Sequence, residues 1–332
     1  MPTHGRISPD LSRSRTGCGG TLDAVSETRR GALAGVVAYG LWGLFPLYFH
    51  HTAPATPVEV LFHRMVWTLL VVATWLAVRH EWAWWARART DPALLRRVSI
   101  AAFMLSANWG LYIWAVNNDH VVDAALGYFI NPLVTVALGV IVLHERLRPL
   151  QRMAVAFGGL AVVVLAVAYG RPPWISLILA GSFATYGFMK KTVDLPAVQS
   201  LCLETIVMLP VALVGFAVLL ARDEVTIGRE GPGHASLLLL SGIVTAVPLV
   251  LFGVAARRIP LSMLGLLQYL TPVMQLLCGV LAFHEAVPTA RWVGFVIVWI
   301  ALGLLVLDAL RMQPQPRLAP LPSGEPVPVA GD

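Results

Sequence analysis

Two stretches decide how this chain is read: LGYFINPLVTVALGVIVLHE at 126–145 and LLQYLTPVMQLLCGVLAFHE at 266–285. Pro132, Gly139, His144 and Glu145 of the first recur as Pro272, Gly279, His284 and Glu285 of the second, at one constant offset. Leu126 meets Leu266, and Asn131 meets Thr271, in the same register. Each stretch is apolar over about the 20 residues that a helix needs to cross a bilayer. Trp42-Gly43 and Tyr186-Gly187 form a weaker match at a slightly different offset. The chain reads as two copies of one apolar, helical unit.

Composition agrees. Of 332 residues, 57% are hydrophobic and 13% charged, against about 25% charged in ordinary soluble domains. A soluble fold of that composition could not cover itself with polar surface. The net charge of +6 does not point to nucleic acid, because the basic residues stand in short clusters between apolar segments. Cys18, Cys202 and Cys278 have neither disulfide nor zinc spacing. No cleavable signal peptide is expected, since the first apolar segment follows a polar tail and has spanning length.

Helices are expected near 31–50, 58–79, 98–117, 123–143, 152–169, 174–189, 199–220, 236–256, 262–283 and 290–308. Trp82, Trp84, Trp85, Arg87 and Arg89 form an interfacial stretch, with indoles and snorkelling guanidinium groups at headgroup level. Arg171, Arg222, Arg229 and Arg291 fall on one side of the bilayer and Arg64 inside a span. Every other Lys and Arg falls on the opposite side, which makes both termini cytoplasmic. If the fourth span matches the ninth, each half holds five helices. An odd number of crossings turns the second half upside down. The expected fold is all-α, ten transmembrane helices in a 5+5 inverted repeat. Residues 1–30 and 309–332 are expected to be disordered tails, with the two repeats at 31–169 and 170–308.

The residues also carry a resemblance. Asn108-Trp109-Gly110, Trp114 to Asn118, and Leu126 to Pro132 resemble the RarD branch of the EamA transporters, in the drug/metabolite transporter superfamily. So do Phe62-His63-Arg64, Gly242 to Pro248, and Leu264-Gly265 through Tyr269 to Pro272. The resemblance runs from about Gly31 to Asp308 and implies a ten-helix, 5+5 inverted-repeat permease of the plasma (inner) membrane, with both termini inside. Where many relatives carry Gly-Glu after the fourth span, this chain has His144-Glu145.

Ionisable groups inside spans are the first functional candidates, because each costs about 2.5–3.5 kcal/mol to insert. Arg64 reads as a counter-charge in a translocation path, or as a donor to backbone carbonyls of a neighbouring helix. Glu204, its counterpart in the second half, reads as a proton-coupling carboxyl or as a group stabilising the start of its own helix. A direct Arg64–Glu204 pair is not expected, because inversion sets them at different depths. His63 is a candidate for titration and gating, or a structural partner of Glu59. Asn108, Tyr128 and Asn131, with Gln268 and Tyr269, form a polar set for substrate binding; taken singly, each also fits interhelical bonding. Pro132 and Pro272 permit kinks at matching places. Gly31, Gly35 and Gly43 share a face suited to close helix approach.

The expected function is a secondary transporter of a small organic solute, drug or metabolite, working by alternating access. A channel or a non-transporting membrane subunit is the alternative, with an intramembrane enzyme further behind. No Walker loop, HExxH helix or Gly-x-Ser-x-Gly elbow is present. No cofactor or metal is expected, and no nucleic acid. The partners are the solute and the lipid bilayer, with a homodimer left open.

Overall fold

A computed structural model describes residues 19–118, 120–169 and 174–282, with His284 and isolated positions between 296 and 308. In chain order its helices are α1 (Gly19–Gly43), α2 (Phe45–His50), α3 (Pro57–Val78), α4 (Ala83–Thr90), α5 (Pro92–Asn117), α6 (Val121–Ile141), α7 (Pro149–Tyr169) and α8 (Trp174–Thr192). They continue as α9 (Ala197–Ala221), α10 (Gly231–Arg258), α11 (Leu261–Leu267) and α12 (Leu270–Leu277), and close on a π-helical turn at Cys278–Ala282. Each span expected up to 262–283 coincides with one of these helices or with a consecutive pair. The tenth, 290–308, lies largely outside the described residues, as do Glu285 and the segments 1–18 and 309–332.

Local chemistry explains where helices start. The Thr56 hydroxyl accepts from the Glu59 N–H at 3.2 Å, and Pro57 stands in the first turn of α3, where a missing N–H costs nothing. Asp91 caps α5 in the same way, accepting from Ala93 and Leu94 at 3.0 Å ahead of Pro92. Helix α1 begins at Gly19, earlier than the expected 31. Its polar early turns have partners: Glu27 accepts from Arg258 at 2.6 Å and lies 3.2 Å from Arg30.

The helix ends match across the two halves. α3 closes with a Glu81 N–H bond to Leu76 O and α9 with a Glu224 N–H bond to Leu219 O, both at 3.0 Å. The preceding residues, His80 and Asp223, are left-handed at φ 54° and 61°. These are Schellman-type caps. His144 and His284, the duplicated pair, are also left-handed, at φ 53° and 52°. The kinks are less alike. α6 runs through Pro132, whereas the chain breaks between α11 and α12, ahead of Pro272. Pro272 has no N–H for the Gln268 carbonyl, and the turn tightens to bonds from Gln268 to Gly265 (3.2 Å) and from Thr271 to Gln268 (3.1 Å).

Among the described residues, five helical segments are long and apolar enough to cross a membrane: Glu27–His50, Pro57–Val78, Ala197–Ala221, Gly231–Arg258 and Leu261–Ala282. Their outer faces carry exposed Leu33, Leu70, Val78, Val214 and Leu220, a surface suited to lipid rather than water. The protein is a multi-pass membrane protein. Trp82 and Trp85 on α4 are exposed as expected of an interfacial stretch, but Trp84 is buried in the core, because a short helix turns one indole of the run inward.

Packing crosses between the halves. α1 lies on α10, α3 on α9 and α10, α5 on α8 and α9, and α6 on α8 and α11. The stripe of small residues serves this. A side chain on Gly31 would come within 2.5 Å of the Arg258 Cβ and 2.9 Å of Ile259, so only glycine lets α1 seat against the end of α10.

Candidate solute-binding cavity

Where these crossings meet, a cavity of about 340 Å³ opens between α1, α2, α3, α5, α6, α8, α10 and the α11–α12 break. Its size falls within the range of small-molecule sites. Aromatic residues are the largest group in the walls: Tyr39, Trp42, Phe45, Phe49, Trp109, Tyr112, Tyr128 and Phe183. Trp42 packs edge-on against Tyr39 and Phe183, with ring centroids 5.5 and 5.8 Å apart. Tyr112 meets Tyr128 at 6.0 Å.

Arg64 is the one charged residue among the lining residues described. It is the eighth residue of α3 and half-buried. Its Nε donates to Thr245 Oγ1 on α10 at 2.9 Å, so its protein acceptor is a hydroxyl rather than the backbone carbonyl envisaged from sequence. Its Cζ lies over the rings of Trp109 (4.5 Å), Phe49 (5.2 Å) and Phe45 (5.5 Å). Ring faces attract the cation without neutralising it. Among the described residues, no carboxylate pairs with Arg64.

The polar set divides. Tyr128, Asn131 and Gln268 line the cavity, and so does Asn108. Asn108, however, spends its amide nitrogen on α8, donating to Leu179 O at 2.8 Å and Ser182 Oγ at 3.0 Å; this is the interhelical bonding foreseen for single residues. The Asn131 Oδ1 accepts from Thr135 at 3.4 Å. Gln268 is 5% exposed, and its Oε1 has no hydrogen-bond partner. Tyr269 does not line the cavity. Adjacent helical residues point about 100° apart, and Tyr269 turns into a cluster with Val136, Ala154, Leu266 and Ala301. Gln275, unflagged in the sequence, joins Gln268 in the wall from α12.

The proton-coupling candidates stand apart from this cavity. Glu204, the eighth residue of α9, is too far into the helix to cap it. Its Oε1 lies 2.6 Å from Lys190 Nζ and 2.7 Å from Ser200 Oγ, and Tyr186 donates to Oε2 at 3.3 Å. Lys190 itself is 2% exposed. α8 lies against α10 and brings Lys190 inside the bundle, a position that no sequence window reveals. Arg64 and Glu204 do not pair, although both border a second gap of about 30 Å³, room for a single water.

His63 directly precedes Arg64 in α3 but does not line the cavity. Its Nε2 is 3.6 Å from Glu59, and its Nδ1 accepts from Trp67 at 3.0 Å. Glu59 is fully buried and accepts from the Thr226 N–H (2.7 Å), the Thr226 hydroxyl (2.9 Å) and the Ile227 N–H (3.2 Å). His234 Nε2 touches the same hydroxyl at 2.8 Å. Two histidines therefore flank one buried carboxylate that ties α3 to the loop before α10.

The EamA-like transporter family profile matches residues 29–167 and again 172–307. The chain belongs to the EamA-like transporter family. Within it the chain is a RarD-type permease: it is 53% identical to Protein RarD of Streptomyces exfoliatus over 290 residues, covering 87% of this chain and 92% of that one. It is 36% identical to Protein RarD of Escherichia coli (strain K12), covering 88% and 98%. An uncharacterized transporter of Pseudomonas aeruginosa is 40% identical, over 88% of this chain and 99% of its own. A crystal structure of 19% identity superposes with a TM-score of 0.63, over 86% of this chain and 99% of that one, a likeness of fold. These relatives are named RarD or uncharacterized transporter, and the family is one of transporters.

Proposed function

We propose that this EamA protein is a secondary transporter that moves a small organic solute through the aromatic cavity by alternating access. The observation that carries this is the exchange symmetry of the packing. Swapping the halves, α1 with α8, α3 with α9, α5 with α10 and α6 with α11–α12, turns the α1–α10 contact into α8–α5, α3–α10 into α9–α5, and α6–α8 into α12–α1. All of these contacts are present. A cavity on the axis of such an exchange can open to either face when the halves trade shapes.

On this reading, residues 31–169 and 170–308 are inverted five-helix repeats, making ten crossings of the plasma membrane with both termini inside. Arg64, Tyr128, Asn131 and Gln268 contact the solute, and Glu204 or the Glu59–His63 pair carries a coupling proton. The matched caps of α3 and α9 and the left-handed His144 and His284 support the repeat.

Counterflow in proteoliposomes tests the mechanism. Vesicles preloaded with unlabelled amino acids, nucleosides or amphenicols are diluted into labelled solute. A carrier gives transient accumulation against the gradient for at least one class, and Arg64→Ala abolishes it while the protein remains folded in the membrane. Simple equilibration without overshoot is the signature of a channel and overturns the carrier reading.

A further inference from the structure

The cavity's chemistry narrows its ligand further than "a small solute". Arg64 carries a full charge in a wall otherwise built of aromatic rings, aliphatic side chains and neutral polar groups, with no acid among the lining residues described. One N–H is spent on Thr245, a neutral hydroxyl. The guanidinium carbon lies over the rings of Trp109, Phe49 and Phe45, and its terminal N–H groups have no hydrogen-bond acceptor among the described residues. A guanidinium in that setting keeps its fork geometry, which matches the two oxygens of a carboxylate. A partly buried cation that no acid among the described residues balances is also costly, so an arriving anion gains more here than it would at the surface.

We propose that the cavity binds an aromatic monocarboxylate, with the carboxylate forked on Arg64 and the ring held among Trp42, Trp109 and Phe183. This rests on the cavity being the solute site and specifies its ligand. One cation balances one negative charge, which selects against phosphate monoesters and dicarboxylates. Paired aromatic walls favour a flat ring over an aliphatic chain of equal size. Gln268 adds a second point of recognition. Its Oε1 is buried without a donor, an arrangement that a ligand N–H or hydroxyl would complete.

Equilibrium binding to the purified full-length protein in nanodiscs tests this without any transport step. The probes are benzoate, its neutral isostere benzamide, the cation benzylamine, and acetate, which keeps the charge but lacks the ring. Benzoate is expected to bind about tenfold to a hundredfold more tightly than benzamide, the range for a hydrogen bond to a charged group against a neutral one, and more tightly than acetate. Arg64→Gln should erase the benzoate-over-benzamide preference, and Arg64→Lys should retain part of it. Trp109→Leu should weaken benzoate and benzamide alike. Each variant is first shown to be monodisperse.

Equal affinity for benzoate and benzamide, a preference for benzylamine, a preference that survives in Arg64→Gln, or no binding of any probe at millimolar concentration would each overturn the assignment. Benzoate binding without counterflow would leave the site standing and defeat the carrier reading. Counterflow of a neutral or cationic solute that benzoate does not inhibit would do the reverse.

Discussion

At the scale of single residues, this chain keeps three kinds of polar group away from water, and each answers to a different test. Gln268 holds an unpartnered oxygen in the wall, which costs about 1–3 kcal/mol. Gln268→Met should therefore raise the thermal midpoint while lowering counterflow, since a residue kept for the solute is not kept for stability. A lowered midpoint would show that Gln268 holds the fold together. Glu204 and Lys190 are a buried pair at 2.6 Å, and removing one partner leaves an uncompensated charge worth about 3–5 kcal/mol. Glu204→Gln should thus melt early, and the double change Lys190→Met with Glu204→Met should recover most of the loss. Coupling is read separately, from the pH profile of counterflow. Flattening in Glu204→Gln supports proton transfer there, and an unchanged profile makes the pair a structural tie between α8 and α9. Arg64 differs from both in having neither an acid nor a carbonyl partner among the described residues, which is why it anchors the proposed site.

At the scale of helices, the crossing of α3 and α10 sets the geometry around Arg64. A side chain on Gly242 would stand 2.5 Å from the backbone carbon of Trp67, and backbone cannot move aside as a flexible side chain does. Thr68 donates to Gly242 O at 3.3 Å at the same crossing. Gly242→Ala is expected to cost about 1–3 kcal/mol by overpacking and to part Arg64 from Thr245, one turn further along α10. The measurements are the thermal midpoint and benzoate affinity, both of which should fall. A variant with native stability and binding would show that the two helices can slide apart freely.

At the scale of the whole molecule, the proposed inversion has a direct consequence. Glu81 and Glu224 end α3 and α9 with the same hydrogen bond, so an inverted repeat sets them on opposite faces of the membrane. Single cysteines at these two positions, in a chain lacking Cys18, Cys202 and Cys278, should react with an impermeant thiol reagent from opposite sides. Labelling from one side only would defeat the inverted repeat, and with it the exchange of shapes on which alternating access depends.

The sequence by itself determined the class, the helices and their duplication, because bilayer spanning and repeat register are properties of local runs: apolar length, capping residues and the recurring Pro, Gly and His-Glu. It also singled out Arg64, since a charge within an apolar run is conspicuous wherever it packs. Only the tertiary structure decided which polar groups meet. Nothing local to α8 says that Lys190 turns inward to Glu204, that Glu59 reaches across to Thr226, or that Gln268 faces the cavity while its neighbour Tyr269 faces away. Those outcomes depend on helix rotation and on contacts between residues far apart in the chain, and helix rotation is fixed by the whole packing at once.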